Sequence, residues 1–194
     1  MLYINDQLYD FPLDEALDQL SPQRREQAMK YKHEFGQRAS AAAYLLLCQG
    51  LREEYGIEEK PVFVYGEHGK PSLADYPHIH FSLSHCREAA ACLVSDRPVG
   101  VDIETIRPLR PSLVEYTMNA DEIGQIRNSD NPDLLFTRLW TQKEALAKCL
   151  GRGIDAHIRD LLTLHPEADL RTVVGPDHRY IVSECQLADS NYEP

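Results

Sequence analysis

The chain lacks long hydrophobic runs, paired cysteine motifs and any excess of positive charge, and each absence removes a class of protein. Its longest apolar stretch, Ala41 to Cys48, is far too short to span a bilayer. The opening Met1-Leu2-Tyr3-Ile4-Asn5-Asp6 has neither the basic start nor the apolar segment of a signal peptide. Five cysteines (Cys48, Cys86, Cys92, Cys149, Cys185) are scattered and include no C-x-x-C pair. Neither a disulfide framework nor a zinc site is supported, and reduced core thiols in a cytoplasmic protein are expected. Lys and Arg total 20 against 31 Asp and Glu, a net charge of −11. That field repels phosphate at long range and argues against nucleic acid or anionic membranes as general partners. A small phosphorylated ligand requires a local cation cluster or a divalent metal.

What is present suffices for a core. With 194 residues, 43% hydrophobic, the chain fits one globular domain or two small lobes sharing a core. Leu2 to Phe11 reads as a strand or hairpin. Ser21-Pro22 offers an N-cap with proline at the first helical position, opening a basic helix that carries Arg24, Arg25, Lys30 and Lys32. Arg38 to Tyr55 reads as a long, largely buried helix closed by Gly56. Strands are expected at Pro61–Tyr65, His80–Ser84, Ala89–Val94 and Pro98–Ile103. Asn119 with Glu122 forms a capping-box pattern. Asn131-Pro132 opens a helix running to about Leu150 and stopped by Gly151-Arg152-Gly153. Strand-like runs follow near Ile158–Leu164, Arg171–Val174 and Tyr180–Cys185. Helices, strands, helices, strands in that order favour α+β over repeated βαβ units.

Three constellations carry chemistry. In Gly100-Val101-Asp102-Ile103-Glu104 the two acids share one strand face, while Val101 and Ile103 share the other. Adjacent carboxylates on an apolar strand repel, and a divalent ion or a solvated strand end resolves the conflict. In Leu139-Trp140-Thr141-Gln142-Lys143-Glu144-Ala145-Leu146-Ala147-Lys148, Lys143 falls in the middle of the apolar helix face. Glu144 sits at its margin, one turn from Lys148. An ordinary amphipathic helix would give the same pattern, with a snorkelling Lys143 and an exposed Glu–Lys pair. Phe81-Ser82-Leu83-Ser84-His85 places serine and histidine at a strand end, but no G-x-S-x-G elbow surrounds them and a serine hydrolase is disfavoured. Gly66 to Pro71 lacks P-loop spacing and reads as a turn.

The order of Gly69-Lys70-Pro71, Phe81-Ser82-Leu83-Ser84-His85, Gly100-Val101-Asp102-Ile103-Glu104 and Trp140-Thr141-Gln142-Lys143-Glu144-Ala145-x-x-Lys148-x-x-Gly151-x-Gly153 resembles the 4'-phosphopantetheinyl transferase superfamily. The likeness is to its larger, pseudo-dimeric (Sfp-type) class, over roughly Ser21 to Ile154. It implies two similar α/β lobes, 1–98 and 99–194, related by a pseudo-twofold axis with the active site between them. The implied reaction is magnesium-dependent transfer of the phosphopantetheine arm of coenzyme A to a serine of an acyl or peptidyl carrier protein, releasing 3',5'-ADP. Asp102, Glu104 and Glu144 match the family's metal ligands. Glu144, or a water on the metal, matches its base. Lys148 matches the lysine on the pyrophosphate, and Lys70, Ser84 and His85 match positions that hold coenzyme A. Lys30, Lys32 and Arg38 are further phosphate-contact candidates. Carriers of this kind are acidic, so a local basic or apolar patch should dock them. Two departures stand out: Cys86 follows the Ser-His pair where many relatives have a small hydroxyl residue, and the chain stops at Pro194 where larger members continue through another strand. A short subfamily or a shortened C-terminal lobe is expected. A pseudo-dimeric chain predicts a monomer, whereas a missing edge strand would favour pairing. Two other readings stay open: a non-catalytic binder of carriers or coenzyme A, and a metal-dependent pyrophosphohydrolase.

Overall fold

In the computed structural model, residues 1–66, 69–151, 153 and 157–187 are described. Glu67 and His68 of the glycine-bearing turn, Arg152 and Ile154 at the helix stop, and the tail to Pro194 lie outside the described residues. Two successive stretches of chain each run from one strand through three helices to a closing pair of strands, with different short elements in between. The first is β1 (Leu2–Asn5), helices α1 (Leu13–Gln19), α2 (Pro22–Met29) and α3 (Glu34–Tyr55), the short pair β2 (Phe63–Tyr65) and β3 (Pro71–Leu73), then β4 (His80–His85) and β5 (Ala90–Ser95). The second is β6 (Val99–Thr105), helices α4 (Pro111–Thr117), α5 (Ala120–Arg127) and α6 (Pro132–Cys149), a 3-10 turn (Ile158–Asp160) entering α7 (Leu161–Leu164), then β7 (Asp169–Val174) and β8 (Tyr180–Gln186). Their sheets have the orders β1-β5-β4 and β6-β8-β7, antiparallel throughout. In each, the first strand of the half pairs with its last, and the last pairs with the one before it. The fold is mixed α+β.

Local chemistry explains where most helices begin and end. Ser21 Oγ accepts from the Arg24 amide with Pro22 at the first helical position. Asn119 and Glu122 make both bonds of a capping box, and Asn131 Oδ1 accepts from the Leu134 amide. Gly56 ends α3 at φ 68°, a left-handed conformation that glycine adopts without a Cβ penalty. The basic helix is shorter than expected, ending at Met29 and leaving Lys32 in the following loop. Ile158–Leu164 is helical, not a strand. Ile158 and Leu161, three apart, bury one face against Leu146, Ala147 and Cys149, a helical spacing that outweighs the β-branched start.

Long α3 covers the first sheet through Ala39, Ala42, Tyr44, Leu47 and Leu51, packed with Phe63, Phe81 and Val94. Helix α6 covers the second through Ala145, Leu146 and Cys149. Between the halves, Ala91 and Leu93 of β5 meet Val99, Val101, Ile103 and Val182. Each large apolar side chain buried this way contributes about 1.5–3 kcal/mol.

Among the described residues, strand β6 pairs with β8 along one edge only. Along its other edge, side chains replace a neighbouring strand. The amides of Val101 and Ile103 donate to Ser82 Oγ at 3.0 Å and Ser84 Oγ at 3.3 Å. The carbonyls of Val99 and Val101 accept from Lys70 Nζ at 3.3 Å and Lys148 Nζ at 3.1 Å. Buried backbone groups need partners, and here the two serines of β4 and two lysines supply them. The alternate serines of Phe81-Ser82-Leu83-Ser84 are therefore the joint between the halves. Among the described residues no helix is long and apolar enough to cross a membrane, and all five cysteines are free thiols.

Candidate active site

A cleft of about 260 Å³ opens where that joint meets α6. Gly69, Lys70 and Pro71 line it from the β2–β3 turn, Ser82 and Leu83 from β4, and Glu144 and Lys148 from α6. Three sequence motifs between Gly69 and Gly153 thus line one cleft, and Lys148 ties the fourth to it through Asp102.

Asp102 is buried in β6 with 5% exposure and is not itself among the residues that line the cleft. Its Oδ1 accepts from Lys148 Nζ at 2.7 Å and Ser84 Oγ at 2.8 Å. Its Oδ2 is buried with no hydrogen-bond partner among the described residues, and such an atom is costly unless something else engages it. Burial raises the proton affinity of Glu104, and the Asp102 charge adds to it; a hydrogen bond from Trp140 and the fields of Lys148 and Arg107 oppose. Burial, then the Asp102 charge, pushes the Glu144 pKa up to about 7, with Glu104 adding and Lys148 opposing. The three carboxylates feel one another's charge. As placed, they do not converge on one point: among the described residues no three His, Cys, Asp or Glu side chains form a group that could hold a metal.

Lys148 uses its three N–H groups on Asp102, Val101 O and Ser84 Oγ. Ser84 is equally committed, donating to Asp102 while accepting from Ile103 N and Lys148. A hydroxyl with one proton and two lone pairs has nothing further to offer. Its evident task is holding Asp102. Lys70 reaches across the halves to Cys149 O at 3.1 Å as well as Val99 O, and burial lowers its basicity. His85 Nε2 meets Tyr31 Oη at 3.1 Å. Burial, then the positive fields of Lys148 and Arg24, lowers its pKa, which keeps the imidazole neutral at pH 7.

The early cations are dispersed. None of Lys30, Lys32 and Arg38 lines the cleft. Lys30 is exposed beside Glu26 and Gln27, and Lys32 is exposed in the loop. Arg38 pairs with Glu34 and donates to Phe11 O at 2.6 Å, fastening the loop after β1 onto α3. The cation that acts on His85 from this region is Arg24. Its guanidinium lies 5.4 Å from the Phe63 ring centre, donates to Ser40 Oγ and keeps a buried Nε without a partner. The sequence signal for it was its i,i+4 spacing to Ala28, the residue that marks the inward face of α2. Lys143 does not snorkel: it is fully buried against Glu122 at 2.6 Å.

Comparison with known proteins gives the same reading. Residues 98–186 match the family described as the 4'-phosphopantetheinyl transferase superfamily. The Bacillus pumilus protein named 4'-phosphopantetheinyl transferase psf-1 is 29% identical over 195 residues, covering 94% of this chain and 82% of that protein. The chain is similar to the 4'-phosphopantetheinyl transferase superfamily, over residues 98–186 to its family model and over most of its length to this transferase. The transferase Sfp of Bacillus subtilis (strain 168) is 23% identical over 90% of this chain and 78% of its own length. AcpT of Escherichia coli O157:H7 is 39% identical over 97 residues, about half of each chain.

The raised pKa of Glu144 has a consequence for stability. A carboxyl that favours its proton when folded destabilises the fold as it ionises. The effect is absent below the unfolded value near ~4.3, grows with pH and is complete above about 7. Half-buried and solvent-screened, it amounts to about 1–2 kcal/mol. Without divalent metal, Glu144→Gln should raise Tm at pH 8 by roughly 2–4 °C and leave Tm nearly unchanged at pH 4.5, as a pair of thermal melts will measure.

Proposed function

We propose that the protein transfers the 4'-phosphopantetheine arm of coenzyme A to a serine of an acyl or peptidyl carrier protein, releasing 3',5'-ADP with the help of magnesium. The observation that supports this best is the single cleft gathering Lys70, Glu144 and Lys148 beside a buried, unpartnered Asp102 oxygen. Asp102, Glu104 and Glu144 would hold the magnesium: all are hard oxygen donors, as that ion prefers, and the free Oδ2 fits a missing partner. When bound, the ion neutralises pyrophosphate oxygens and polarises the phosphorus under attack.

The chain's own groups account for the remaining steps. Lys70, with one N–H left beyond Val99 O and Cys149 O, contacts the pyrophosphate, and Lys148 joins it by exchanging one of its three present acceptors; Arg24 and His85 contact the further phosphate. Lys30 and Lys32 add only long-range attraction, and Arg38 only fastens the loop. Ser84 keeps Asp102 in place. The carrier serine oxygen bonds to the pantetheine-bearing phosphorus while the bridging P–O bond breaks, its electrons leaving on 3',5'-ADP. Glu144, with a proton affinity near neutrality, accepts the serine proton. The two halves, 1–98 and 99–194, act as pseudo-symmetric lobes of one unit; their shared run of one strand, three helices and a closing strand pair, with matching sheet orders, supports this. A cleft completed within one chain supports a monomer, and free thiols support the cytoplasm.

Carrier docking belongs to the groove beside Glu104, where Arg107 and Arg110 flank Leu109, Leu113 and Trp140. Arg110 is exposed, and Arg110→Glu should raise KM for an acidic carrier roughly tenfold with kcat unchanged, read from initial rates over a carrier titration. The function itself is tested by incubating the protein with coenzyme A, magnesium and a panel of unmodified carriers. A carrier gaining the phosphopantetheine mass is expected. No mass gain on any carrier at saturating magnesium would overturn the proposal: retained carrier binding would then mark a binding protein, and 3',5'-ADP release without carrier a hydrolase.

A further inference from the structure

We propose that Lys143 is a positioning residue: it fixes the rotation of α6 about its own axis, and with it the direction in which Glu144 and Lys148 meet β6. This rests on the transferase reading of those two side chains. The Lys143 ammonium is fully enclosed, with three acceptors from three elements. Thr117 O at the end of α4 lies at 2.9 Å, Glu122 Oε2 in the first turn of α5 at 2.6 Å, and Arg159 O in the 3-10 turn at 2.6 Å. All three N–H groups are thereby used. Glu122 Oε2 is itself held by the Asn119 amide at 2.9 Å, so the acceptor set is ordered by the capping box.

Successive helical residues point about 100° apart. Anchoring Lys143 to α4, α5 and the 3-10 turn therefore leaves Glu144 and Lys148 directed to the cleft on another face. The tolerance for error is small, because α6 lies on β6 too closely for a side chain at Gly100. Stability alone does not account for a lysine here. A buried ion pair is often matched or exceeded by apolar side chains of similar volume, and Leu146 and Ala147 nearby are apolar and buried. Three directed bonds instead define one orientation, where apolar contacts permit sliding.

The test is the full-length double variant Lys143→Met with Glu122→Gln, whose amide oxygen can still accept from Asn119. Three quantities are measured: thermal stability, Mn²⁺ affinity with coenzyme A present by electron paramagnetic resonance, and steady-state transfer. A folded protein is expected whose Mn²⁺ affinity falls about fivefold and whose kcat falls about tenfold or more, with carrier KM within about twofold. A folded variant with wild-type kcat and Mn²⁺ affinity would overturn the proposal. If the double variant does not fold, Glu122→Gln alone decides: kcat about threefold lower or more at unchanged carrier KM supports it, and unchanged kcat overturns it. A wild-type protein that modifies no carrier would instead defeat the transferase reading, while the Mn²⁺ comparison would still judge Lys143.

Discussion

Asp102→Asn should leave a folded protein that transfers phosphopantetheine about 10³-fold more slowly than wild type. Asparagine keeps the shape of the side chain and can still accept from Ser84 and Lys148. It removes the charge and leaves no free carboxylate oxygen where Oδ2 is now buried without a partner. Stability should change little, because two effects oppose. The 2.7 Å ion pair with Lys148 is lost, while the Asp102 charge that burdens Glu104 and Glu144 is also lost. The same variant should therefore lower the Glu144 pKa from about 7, a shift readable by carboxyl NMR titration without any substrate. Transfer within threefold of wild type would remove Asp102 from the chemistry.

Gly100→Ala should have the largest effect on the fold. A Cβ there would fall well inside contact distance of the Ala145 carbonyl oxygen and 2.5 Å from the Cys149 amide nitrogen. Both are backbone atoms of α6, so no rotamer change relieves the clash, and helix and strand must separate. The expected loss exceeds about 3 kcal/mol, a fall in Tm of roughly 6–12 °C or no soluble protein. A melt within 2 °C of wild type would mean that α6 does not rest on β6 at this point. The glycine beside the strand acids serves close approach, which is how Glu144 and Lys148 come within reach of Asp102.

Much of this was legible in the sequence, for reasons particular residues make plain. Ser21-Pro22, Asn119 with Glu122, Asn131-Pro132 and Gly56 mark helix ends because capping is local chemistry, written within four residues. Helices α1 and α4, of seven residues each, have no side-chain cap bond and are too short for periodicity to register. At the site, the order of four motifs was readable, whereas their partnerships were not. Ser84 matched a family position that holds coenzyme A, a likeness that does not say which partner its hydroxyl takes. The structure gives its hydroxyl to Asp102, 18 positions away in the chain. Lys143 read as falling in the middle of an apolar face, with snorkelling as the ordinary outcome, because no helical pattern announces Glu122 beneath it, 21 positions away. Lys30, Lys32 and Arg38 were phosphate-contact candidates from a loose likeness over a basic stretch, and such a stretch does not say which side chains a helix turns inward. Arg24, on the face of Ala28, does turn inward.

The central claim is that a strand pair, Asp102 and Glu104, and a helix acid, Glu144, serve one cation across the joint between the halves. The most direct measurement is anomalous diffraction from crystals grown with Mn²⁺ and coenzyme A. The account predicts one strong peak touched by oxygens of all three acids, with Asp102 contributing through Oδ2. A peak bound without Glu144, or metal found only away from β6, would contradict it.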